Sequence, residues 1–78
     1  MPIAGVVVWA RADQVALVKE KLDAMPGVEV RGATEDDKLV VVLDAQTAGD
    51  LQRLTDLVQR IPEVLEVLPA YVNFEDSA

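Results

Sequence analysis

GVVVWA at Gly5–Ala10 and LVVVL at Leu39–Leu43 decide the fold of this 78-residue chain. A half-buried strand alternates apolar and polar residues, one face in and one face out. Here every position is apolar, so both segments read as strands that need cover on two faces. A chain of this length buries only about 60–65% of its unfolded surface, too little to furnish a second full layer of helices. One face of the sheet that these strands form is expected to stay bare of the chain's own helices.

The rest of the chain reads outward from those strands. The first strand spans Ile3–Ala10 and is followed by a helix over Asp13–Met25, where Val15, Val18, Leu22 and Met25 form one apolar stripe at helical spacing. Pro26-Gly27 stops it, and Val28–Arg31 alternates as a short strand with one polar face. Gly32–Asp37 reads as a hairpin loop, and Lys38–Asp44 as the second all-apolar strand. The Thr47 hydroxyl is placed to cap the next helix, with Asp50 three residues on. Leu51, Leu54, Val58 and Ile61 repeat the stripe, Pro62 ends it, and Val64 to about Phe74 is the last strand before a frayed tail, EDSA.

The order β-α-β-β-α-β is also an internal repeat. The first helix ends in MPGVEV and the second in IPEVLEV. This order predicts an α+β fold of one domain over residues 1–78: the ferredoxin-like split β-α-β, a four-stranded antiparallel sheet with two helices on one face. The first and third strands are central in that arrangement. Pro69 suits the fourth strand to an edge.

Period two assigns the faces. Ala4, Val6, Val8 and Ala10 are small enough to pack under helices. In the third strand Lys38 and Asp44 should be wet, which turns Leu39, Val41 and Leu43 inward. In the fourth, Glu66 should be wet and Leu65, Val67 and Tyr71 inward. The bare face then carries Val7, Trp9, Val40, Val42, Leu68, Ala70 and Val72, with Glu29, Arg31 and Glu66 on its outer strands. Seven such side chains, at roughly 50–100 Å² each, reach or exceed the largest apolar patch usual on a soluble monomer, so the patch calls for an occupant. A second copy stacked face to face, a homodimer, is one; a foreign partner is the other.

The missing residue types exclude much chemistry. The chain has no cysteine and no histidine, which removes disulfides, thiolate nucleophiles, ordinary zinc sites and imidazole bases. The only serine, Ser77, lies in the tail. The acids Glu35, Asp36 and Asp37 form a run without the spacing of a calcium loop and read as a solvated turn. The segment ARADQV after the first strand lacks the glycine-rich, arginine-bearing pattern shared by acylphosphatases of this fold. We therefore expect no enzyme, no catalytic residue and no metal. Fourteen acids against seven bases give a net charge of −7, which argues against nucleic acid and anionic membranes and favours a basic partner. No segment is long and apolar enough for a transmembrane helix, and no signal segment is read, so a cytoplasmic location is expected.

GVVVWAR, MPGVEV, KLVVVLD and IPEVLEVLPAYVNFED resemble, in order and spacing, the NapD family, over about Ile3–Asp76. The resemblance implies a cytoplasmic chaperone without a cofactor. Its partner would be the twin-arginine signal peptide of the periplasmic nitrate reductase catalytic subunit, held back from export until cofactor insertion is complete. The peptide's apolar stretch would lie on the bare face and its arginines would meet acids at the rim, among Glu29, Asp44, Glu66, Glu75 and Asp76. Relatives often carry a polar residue or histidine where Trp9 stands and a histidine where Val72 stands. Two other readings of the fold are an amino-acid-binding regulatory module and a domain whose bare face simply dimerises.

Overall fold

The computed structural model describes residues 2–36 and 38–73, the last three of them by backbone alone. Strand β1 spans Ile3–Ala10, helix α1 Val15–Asp23, β2 Val28–Ala33, β3 Leu39–Asp44, helix α2 Ala48–Gln59 and β4 Val64–Asn73. The strands form one antiparallel sheet in the order β2-β3-β1-β4, the ferredoxin-like arrangement expected, with the two all-apolar strands central.

Burial explains the sidedness. Val6 and Val8 of β1, Leu39, Val41 and Leu43 of β3, Val18 and Leu22 of α1, and Leu51 and Val58 of α2 form one core cluster. Both helices therefore cover the same face of the sheet. Val15, Met25, Leu54 and Ile61 complete the two stripes as partly buried flanks. Thr47 Oγ1 accepts the Asp50 N–H at 3.0 Å and so fixes the start of α2 as the sequence suggests.

Several boundaries move. The first helix is shorter than Asp13–Met25, because Ala12–Gln14 forms a 3₁₀ turn closed by the Gln14 N–H on Arg11 O at 2.7 Å. Strand β2 runs on through Gly32 and Ala33, which pair with Val40 and Leu39, so the hairpin loop is shorter than Gly32–Asp37. Thr34 closes it: its Oγ1 accepts the N–H groups of Asp36 and Lys38 at 3.2 and 3.1 Å. Phe74 and the EDSA tail lie outside the described residues, as does Asp37.

Strand β4 departs most from simple alternation. Register shifts fall between Gly5 and Val6 and between Trp9 and Ala10. The second loops out Leu65, which is 63% exposed rather than inward. The first leaves Ala70 without a Cα partner, between Pro69 opposite Val6 and Tyr71 opposite Gly5. Beyond that bulge Val72 pairs with Ala4, a covered-face residue, so the alternation counted from Leu68 does not carry through to Val72.

Candidate functional site

The face away from the helices is built from residues that alternate with the core. Cross-strand pairing sets them in rows: Val42 lies between Glu29 and Gly5, Val7 between Val40 and Leu68, Ile3 opposite Asp44, and Trp9 opposite Glu66. Val7, Trp9, Val40 and Val42 are half-buried by one another, and Leu68 is 37% exposed. The structure thus brings five of the seven expected apolar residues together. Ala70 sits exposed at the bulge, displaced from the row. The side chain of Val72 lies outside the described residues.

The strip has two different ends. From Ile3 to Trp9 the strand rise spans about 20 Å. At the Ile3 end, Glu29 and Asp44 share a depression of about 330 Å³ with Ile3, Val42 and Arg31. Arg31 Nε stands 3.6 Å from Glu29 Oε1, an exposed and therefore weak pair. Asp44 and Glu66 take part in none of the described ion pairs. At the Trp9 end, Lys38 Nζ lies 4.2 Å from the centroid of the Trp9 ring and donates to Asp36 Oδ2 at 3.1 Å. Its side chain is only 23% exposed, so Lys38 is not the wet strand end expected of it. The register signals the contact: Leu39 faces Val8, which brings Lys38 beside Trp9. The Trp9 Nε1–H is covered and has no acceptor among the described residues.

Among the described residues no group of three or more acids is placed to hold a metal ion. A second groove of about 240 Å³ lies between α2 and β4, floored by Val6, Leu51, Val67 and Pro69 and edged by Gln52 and Thr55; it holds no titratable group. No helix among the described residues is long and apolar enough to cross a membrane.

With fold and surface in view, comparison with known proteins places the chain. Its sequence matches the family model described as NapD protein over residues 1–76. The chain belongs to the NapD family. The solution structure of the E. coli Tat proofreading chaperone protein NapD superposes with a TM-score of 0.82 at 26% identity, covering 97% of this chain and 81% of that one. A crystal structure of a hypothetical protein from Pyrococcus horikoshii superposes with a TM-score of 0.85 at 24% identity, covering 99% and 94%, and shares the fold. No curated protein sequence matches. The family thus rests on the family-model match and the fold on both structures.

Proposed function

We propose that this chain is a proofreading chaperone of the twin-arginine export pathway. In this reading it works in the cytoplasm and holds the signal peptide of the periplasmic nitrate reductase catalytic subunit on the bare sheet face. Membership of the NapD family and likeness to the E. coli protein, itself a Tat proofreading chaperone, support the class. The observation that carries the reading is an apolar strip about 20 Å long with carboxylates at both ends, on a chain of net charge −7. A signal peptide has the complementary chemistry, a basic segment followed by an apolar one. An amphipathic helix of about 13 residues spans such a strip, and its apolar side lies over Val7, Val40, Val42 and Leu68. The mechanism is competition: while the peptide lies here, the translocase does not read it, and export waits until the cargo is mature. No bond is made or broken.

Titration with a tryptophan-free twin-arginine signal peptide, followed by calorimetry, tests this. Wild type is expected to bind saturably. Val42→Asp places a carboxylate under the apolar segment, and desolvating it is expected to weaken binding by about tenfold or more. A folded Val42→Asp chain that binds unchanged overturns docking on this face. No peptide binding by wild type overturns the chaperone reading for that peptide.

A further inference from the structure

At one end of the bare face a ring, an ammonium and a carboxylate come together incompletely. Lys38 Nζ stands over the Trp9 ring at 4.2 Å from its centroid, so the ring face already acts as a cation site. Glu66 stands opposite Trp9 across the β1–β4 pair, which brings their Cβ atoms to about 5 Å. None of the described ion pairs involves it. The indole Nε1–H is covered yet lacks an acceptor, although buried indoles usually have one. The corner thus holds one cation, one unused carboxylate and one unused donor.

We propose that Trp9 and Glu66 form the receptor for one guanidinium group of the bound peptide, and that Lys38 occupies the ring face in the free protein and yields it on binding. This rests on the peptide-binding reading above and assigns its polarity: the arginine end lies over Trp9 and Glu66, and the apolar stretch runs toward Val42. A guanidinium suits the corner better than an ammonium. It is planar and weakly hydrated, so it stacks on the ring while its N–H groups reach a carboxylate at the ring's edge. Lys38 does not lose its charge partner on leaving, because Asp36 accepts from it at 3.1 Å from within the hairpin loop. Among the described residues the opposite end has no such corner: Glu29 pairs with Arg31, and none of the residues described as lining the depression is aromatic.

A double-mutant cycle between protein and peptide tests the site on the full chain. The probes are the tryptophan-free twin-arginine peptide and two analogues, each with one arginine replaced by glutamine. Trp9→Leu is expected to weaken binding of the parent peptide roughly three- to thirtyfold, and to cost little with the analogue that lacks the stacked arginine. Glu66→Gln, a change on an exposed edge position, is expected to show the same coupling and carries the test if Trp9→Leu fails to fold. In wild type the Nε1–H proton resonance of Trp9, the sole tryptophan, is expected to shift with the parent peptide. Lys38→Met is expected to tighten binding in the Trp9 chain and not in Trp9→Leu; equal tightening in both is a general charge effect and overturns the displacement of Lys38. Equal losses with all three peptides, or an unmoved resonance at saturation, overturn the receptor while leaving the chaperone reading intact. Wild type that binds no peptide removes both readings.

Discussion

Gly27 carries two tasks at one position. Its φ of +80° lies in the left-handed region that favours glycine, and its carbonyl accepts the Asp44 N–H at 2.8 Å. A Cβ there would lie 2.7 Å from the Asp44 carbonyl oxygen and 3.2 Å from Leu54 Cδ1. Backbone cannot yield as a flexible side chain would, so Gly27→Ala is expected to cost on the order of 1–3 kcal/mol. Thermal unfolding reads this as a fall in Tm of about 5 °C or more. An unchanged Tm would mean that the turn relaxes freely. Pro26-Gly27 is legible in the sequence as a helix stop, but its close approach to β3 is not, since the contact is made across the fold. Thr47 is legible because a cap acts within its own turn. Lys38 shows the reverse: a charge at a strand end reads as solvated, yet strand pairing lays it across Trp9.

The elements themselves were readable, because two apolar strands and two helical stripes leave few ways to close a core. The faces of β1 and β3 follow from period two without interruption. The face of β4 does not, because a bulge is a one-residue slip that composition does not announce, and two of them move Leu65 and Ala70 out of the expected rows. That is why the candidate site was legible at its centre and blurred along its β4 margin. The internal repeat has a matching asymmetry. Where the first half has Gly27, the second has Glu63, whose Oε1 accepts from Lys21 Nζ of α1 at 2.6 Å. This hydrogen bond to the ammonium holds the Glu63 carboxyl below its ordinary value of 4.5. A carboxyl lowered in the folded state contributes stability that is fully present above the ordinary value and is lost as pH falls through the folded one. Wild type is therefore expected to melt slightly above Glu63→Gln at neutral pH, with the gap closing as the solution is acidified below about pH 4.5. A gap independent of pH would place the difference elsewhere than in this ion pair.

On the scale of the whole molecule, the same apolar face offers itself to a peptide and to a second copy, and net charge separates the two. Two chains of charge −7 repel when they stack, whereas a basic peptide is attracted. Salt screens both effects, with a Debye length of about 30 Å at 0.01 M and about 3 Å at 1 M. The two associations therefore respond to salt with opposite signs. Added salt weakens capture of a twin-arginine peptide, chiefly by slowing its association, and it strengthens face-to-face pairing of two copies by removing their repulsion. Sedimentation and peptide titration across one salt series are expected to show a monomer at low salt that binds the peptide tightly, with affinity falling as salt rises. A dimer already present at low salt, dissociated by neither dilution nor peptide, would assign the face to self-association. The apolar strip calls for a cover, but the sign of the salt dependence identifies the occupant, because a second copy carries the same charge of −7 and a basic peptide the opposite sign.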